Sequence, residues 1–173
     1  MDMWIQKAGK GDEEAFLKIL ETYEKDMYRM AFVYVKRKED ALDVVQEAAY
    51  RAYRGIGRLK KEEYFKTWLM RIVINCAKDH GRKMGREDVM EAGDLEAALP
   101  KTEGGVEEVI RRLTLEEMMG SLTAEERTAV VLKYHYGYSF EEMAFILEKP
   151  LGTVKTVLYR ALKKLRERME KEE

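Results

Sequence analysis

SFEEMAFILEKPLGTVKTVLYRALKKLRERM, residues 139–169, contains two helix-like segments separated only by EKP. In the second segment Val154, Val157, Leu158, Ala161 and Leu165 fall on one arc at about 100° per residue. Thr153 opens that segment, and the opposite arc collects Lys155, Thr156, Tyr159, Arg160, Lys163 and Arg166. An amphipathic helix with a solvated basic face is the bland meaning of such a pattern. Three features go further. The polar arc has almost no acid to pair with its cations, a large aromatic sits in its middle, and a short helix with Ala144 and Leu147 precedes it across a tight connection. Short helix, tight turn and longer basic helix make a helix-turn-helix. Lys and Arg would be drawn to phosphates, while Arg and Thr can match donor and acceptor patterns on base edges in the major groove.

Working back toward the N-terminus, the helix starts are well marked. Ser139 with Glu142, Thr123 with Glu126, and Thr114 with Glu117 all have capping-box spacing, in register with apolar periodicity. Four helices are therefore expected here, over residues 106–120, 124–136, 140–147 and from Pro150 onward, with Pro150 at the first helical position. Residues 87–108 differ: they carry Gly, Pro and nearly all-acidic charge, with Lys101 the exception. That is a linker composition.

Before the linker, helical periodicity returns. One helix is predicted from about Asp12 through Phe16, Ile19, Leu20 and Tyr23, and a second over 26–36. A third covers EDALDVVQEAAYRAYRG, ending at Gly55 or Gly57, and a fourth YFKTWLMRIVINCAKDHGRK, stopping near residues 81–85. No strand signal occurs. The predicted fold is all-α: two small helical domains, residues 1–86 and 109–173, joined by a flexible acidic linker, residues 87–108.

Charge distribution carries more than its total. The 173 residues hold 32 Lys and Arg against 33 Asp and Glu, a net charge of −1 that hides two basic modules flanking an acidic connector. The third helix buries Ala41, Val44, Val45, Ala48 and Ala52 and turns Asp43, Gln46, Glu47 and Tyr50 outward. An acid-amide face is wrong for phosphate and suits a basic protein surface, although taken by itself a solvated helix face is the leading reading. The fourth helix aligns Arg71, Asn75, Lys78 and Arg82 in one strip, suited to a nucleic-acid backbone. GIGRLKKEEYFKTW, just before it, supplies Arg58, Lys60 and Tyr64 on a loop able to capture unstacked bases.

In combination, EDALDVVQEAAYRAYRGI, FKTWLMRIVINCAKDHGRK and LTAEERTAVVLKYHYGYSFEEMAFILEKPLGTVKTVLYRALKKLRE resemble a bacterial sigma factor of the extracytoplasmic-function group. The resemblance runs from about Asp12 to Arg168. It implies a factor that binds core RNA polymerase and directs promoter-specific initiation. The first domain (region 2) would dock on the clamp helices of the largest subunit and hold the melted non-template strand of the −10 element. The second (region 4) would read the −35 duplex and sit on the β flap. Asp43, Gln46, Glu47 and Tyr50 then fall to core polymerase, and Arg58, Lys60, Tyr64, Arg71, Asn75 and Lys78 to the −10 element. Thr153, Lys155, Thr156, Tyr159, Arg160 and Lys163 fall to −35. A membrane-bound anti-sigma factor is a further implied partner.

No enzyme motif, glycine-rich phosphate loop or ligand spacing around His80 and His135 occurs, so no catalysis, cofactor, metal or small-molecule substrate is expected. The single cysteine, Cys76, lies on an apolar arc and reads as packing. Glu62 and Glu63 read as loop charges, Glu141 and Glu142 as a capped helix start. No apolar run reaches a membrane span and no signal-peptide core opens the chain. A cytoplasmic protein is expected, with no appended sensory domain after Glu173. Two other readings remain at this point: a free-standing helix-turn-helix regulator, and a helical adaptor that binds only proteins.

Overall fold

The computed structural model describes residues 1–85 and 119–172. The acidic connector, the Thr114–Glu117 capping pair and most of the helix expected over 106–120 lie outside the described residues. Among those described there are seven α-helices and no strand. They are α1 (Asp2–Gly9), α2 (Glu13–Val35), α3 (Lys38–Gly55) and α4 (Phe65–Met84) in the N-terminal module, and α5 (Ala124–Val130), α6 (Phe140–Leu147) and α7 (Leu151–Glu172) in the C-terminal one.

The segment before Asp12, to which the sequence assigned no element, is a helix that buries Ile5 and Ala8. Asp12 caps α2 as expected, its carboxylate accepting from the Ala15 amide at 3.0 Å. The two helices predicted over residues 12–36 are one continuous helix of 23 residues. The charged run Glu24–Lys25–Asp26 lies off the apolar stripe, which steps from Tyr23 to the buried Met27 without Gly or Pro to stop it. The helix ends where Lys36 turns left-handed, φ 61°, and returns its amide to the Phe32 carbonyl.

α3 buries Ala41, Val44, Ala48 and Ala52, small side chains that let it lie close against α2 and α4. The loop expected after it is two 3₁₀ turns, Ile56–Arg58 and Glu62–Tyr64. Ile56 is buried, and a Cβ on Gly57 would come within 3.2 Å of the Gly9 carbonyl, so glycine permits the close approach of α1. α4 stops at Gly85, left-handed at φ 59°.

In the C-terminal module both capping boxes form. The Thr123 and Ser139 hydroxyls accept from the Glu126 and Glu142 amides, and those glutamates accept from the amides of Thr123 and Ser139. The helix expected over 124–136 keeps α geometry only to Val130. Residues Val131–His135 widen into a π turn, with the Tyr136 amide reaching back to the Val131 carbonyl. Helix α7 starts at Leu151, with the Pro150 carbonyl accepting from Val154, one residue later than predicted.

The modules pack on each other. Buried apolar side chains of both belong to one contiguous cluster, with α5 against α2 and α6 against α4. Arg127 of α5 is fully buried and is central to the junction. It donates to the Val33 carbonyl at 3.0 Å, the Tyr34 carbonyl at 3.4 Å and the Leu122 carbonyl at 2.6 Å. Two of these belong to the last turn of α2, where carbonyls lack intrahelical donors and the helix dipole favours a cation.

Candidate nucleic-acid interface

The outer face of α7 is open. Val154, Val157, Leu158 and Ala161 are buried beneath it, as the periodicity predicts. Thr153, Thr156, Tyr159, Arg160 and Lys163 are exposed and Lys155 is half-buried. Thr156 donates its hydroxyl to the Gly152 carbonyl at 2.9 Å, a hold that fixes its rotamer. Phe140, at the start of α6, supports this face: the Lys155 ammonium lies 5.4 Å from its ring centre and the Tyr159 ring meets it edge-on at 6.5 Å. Nothing in the spacing singled out Phe140, because it lies on a different helix.

The second cationic surface is built differently. Arg71, Asn75 and Lys78 form one strip along α4, yet all three are half-buried and only Arg82 is exposed. The end of α6 covers Arg71 and Lys78. Arg71 Nε donates to Glu148 at 2.9 Å, a terminal guanidinium nitrogen donates to the same oxygen, and the guanidinium lies 4.6 Å from the Phe145 ring. Lys78 donates to the Leu147 carbonyl at 3.4 Å, and burial pulls its pKa below the usual lysine range. Neighbouring Arg58, Lys60 and Tyr64 are exposed. With Leu59, Trp68 and Phe145 they line a crevice of about 830 Å³ between the 3₁₀ turns and α6.

α3 carries the opposite charge. Asp43, Gln46, Glu47 and Tyr50 are exposed on one face, clear of the junction between modules. Glu47 accepts from Arg51 at 2.7 Å and Asp79 accepts from the same guanidinium at 3.0 Å, which raises the Arg51 pKa. Below this face Cys76 is buried and its thiol is pushed up to about 11 by desolvation, in keeping with packing. His80, which has no carboxylate at ligand spacing in sequence, meets Asp40 at 3.0 Å across 40 residues. Asp43 stands beside them, the three side chains offering atoms within 4.8 Å of one another. The His80–Asp40 hydrogen bond already accounts for two of the three groups, so the cluster reads as a structural pair.

Sequence reasoning missed the junction. Arg127 falls on the same helical face as the buried Ala124 and Thr128, and a cation inside an apolar arc was the available signal. Glu148 had none. No described helix is long and apolar enough to cross a membrane.

Known proteins match both modules. Residues 19–87 match the family Sigma-70 region 2 and residues 112–165 the family Sigma-70, region 4. RNA polymerase sigma factor SigV of Bacillus subtilis is 35% identical over 151 residues, 87% of this chain and 89% of its own. The ECF RNA polymerase sigma-E factor of Escherichia coli K12 is 32% identical over 169 residues, covering 91% and 87%. Among solved structures, CnrH in complex with the cytosolic domain of CnrY superposes with a TM-score of 0.72 at 22% identity, over 99% of this chain and 98% of that one. Sigma factor RpoE in complex with the anti-sigma factor NepR from Bartonella quintana gives 0.72 at 23% identity, over 90% and 96%. These two establish likeness of fold alone. The relatives span both modules, so a free-standing operator-binding regulator is not favoured. A region 2 module and a region 4 module in one chain, aligned nearly end to end with such relatives, make this protein a member of the extracytoplasmic-function group of RNA polymerase sigma factors.

Proposed function

We propose that this chain attaches to core RNA polymerase through the α3 face and selects promoters with two separate DNA surfaces. Asp43, Gln46, Glu47 and Tyr50 take the polymerase clamp helices. The α4 strip of Arg71, Asn75 and Lys78, with Arg58, Lys60 and Tyr64, takes the melted non-template strand at −10. Thr153, Lys155, Thr156, Tyr159, Arg160 and Lys163 read duplex −35 DNA, while the C-terminal module rests on the β flap. Domain limits of 1–86 and 109–173, with residues 87–108 as the connector, fit this division.

One observation carries the reading: an acidic face and a basic face, both open to solvent, lie on different modules. Each repels the other's partner, so one chain can engage a basic protein surface and a polyanion at once. The setting we assign is the cytoplasm. There the protein serves a stress response, held at the inner face of the membrane by an anti-sigma factor when idle. The structural neighbour solved with the anti-sigma factor NepR supports regulation by a partner of that kind.

Run-off transcription with purified core polymerase tests the proposal. Addition of the protein should give a discrete transcript from a genomic template library, and Glu47→Arg should lower holoenzyme affinity at least tenfold. No start site at any template refutes it. Unchanged assembly by Glu47→Arg removes the α3 assignment.

A further inference from the structure

Phe140 is the first residue of α6 and stands half-buried beside the outer face of α7. Its place is fixed from two directions. The residue before it, Ser139, is locked in a capping box: its hydroxyl accepts from the Glu142 amide at 3.1 Å, and Glu142 accepts from the Ser139 amide at 2.7 Å. That lock sets where the α6 backbone begins, and so where the ring leaves it. The second hold is on the ring itself. The Lys133 ammonium lies 4.5 Å from the ring centre and also donates to the Tyr138 carbonyl at 3.3 Å. Lys133 is brought there by the π turn Val131–His135. The ring so fastened meets two side chains of the α7 face, the Lys155 ammonium at 5.4 Å and the Tyr159 ring edge-on at 6.5 Å. Among the described residues, neither Lys133 nor Lys155 has a carboxylate partner. An apolar floor could be supplied as well by Leu or Ile; a π face is what the two ammonium groups require.

We propose that Phe140 is a positioning residue for −35 reading: its ring holds the Lys155 ammonium and the Tyr159 ring in the arrangement that meets the duplex, so the affinity and sequence preference of α7 depend on a side chain of α6. This rests on the −35 reading of α7. A lysine on a helix surface samples many rotamers, and ordering it against DNA costs conformational entropy. An ammonium already drawn to a ring has lost part of that freedom before DNA arrives. Tyr159 is held in the same way, by an aromatic contact that restricts where its exposed ring can point. Phe140 thus acts through its two neighbours and carries no polar atom of its own to the duplex.

The test uses holoenzyme assembled from core polymerase and the full chain. The probes are a labelled promoter duplex that parental holoenzyme enriches from a genomic library, and the same duplex with its −35 element scrambled. Pentafluorophenylalanine at position 140, introduced by codon suppression, keeps the shape of the ring and reverses its quadrupole, so packing stays and the attraction for ammonium is lost. It should lower affinity for the promoter about fivefold and narrow the preference over the scrambled duplex, with the thermal midpoint of the free chain unchanged. Phe140→Tyr, which keeps the π face, should bind within about twofold of the parent. Plots of affinity against salt should run parallel for parental and fluorinated protein, because the phosphate contacts are equal in number. Lys155→Gln should instead reduce the slope by about one. In a Lys155→Gln background most of the fluorination effect should disappear. Parental affinity and preference in the fluorinated protein overturn the proposal, as does a loss of the same size with and without Lys155→Gln. A failure of the −35 reading shows separately, as promoter binding that survives Arg160→Ala with Lys163→Ala.

Discussion

The face of α7 and the strip of α4 are both lines of cations on a long helix, and they differ in what stands before them. Tyr159 on α7 is 58% exposed and the residues around it meet solvent, whereas Arg71 and Lys78 on α4 meet Glu148 and the Leu147 carbonyl. One surface meets solvent as it stands, whereas the other is occupied by groups of the C-terminal module.

The largest effect that sharpens this contrast should come from the junction. Arg127→Ala removes three hydrogen bonds and leaves α2 carbonyls buried without them, at a cost of about 3 kcal/mol. Denaturant titration should show that loss, and energy transfer between dyes on cysteines introduced at the exposed positions Lys25 and Arg166 of a Cys76→Ala chain should show a more open protein at temperatures where both modules remain helical. An Arg127→Ala protein as stable and as closed as the parent would break the account of the junction.

Next in size is the open face. Arg160→Ala should weaken −35 duplex binding by about 2 kcal/mol and relax sequence preference there. Its effect should be equal in free protein and holoenzyme, because no described residue covers it. Uniform weakening across all sequences would reassign Arg160 from base reading to phosphate contact.

The smallest effect is a pH dependence of closure. His135 at the junction faces Arg29 at 3.2 Å, with Asp26 also on α2, Lys66 on α4 and its neighbour Tyr136 nearby. Partial desolvation, then Arg29, lowers its pKa from the usual 6.5, Asp26 opposing. Closure therefore favours neutral imidazole. Its contribution is complete above pH 6.5 and declines as pH falls through and below that value, where the open form takes up the proton more readily. Dye transfer measured from pH 7.5 to 5.5 should decrease, and His135→Gln should flatten the slope. A slope unchanged by that substitution assigns the dependence to other groups.

Much of this molecule was legible in its residues because the deciding signals are local. Capping boxes at Thr123 and Ser139, the apolar arc of α7 and the outward turn of Asp43, Gln46 and Glu47 each depend on residues within a few turns of one another. The division expected between Tyr23 and Asp26 does not occur, because the apolar step from Tyr23 to Met27 carries the stripe past the charged residues between them. The π turn at Val131–His135 and the pairing of His80 with Asp40 depend on packing between segments far apart in sequence.

Composition, periodicity and motif order by themselves determined that the chain is all-helical, has two modules and presents an acidic and a basic outward face, since side-chain spacing on a helix is set by backbone geometry. Only the tertiary structure decided that the α4 strip lies beneath α6, that Arg127 seals α2, and that Glu148 faces Arg71. Those contacts join residues 77 and 94 positions apart, and no helical period relates them. They form because two apolar faces, each satisfied within its own module to only part of its area, bury the remainder against one another.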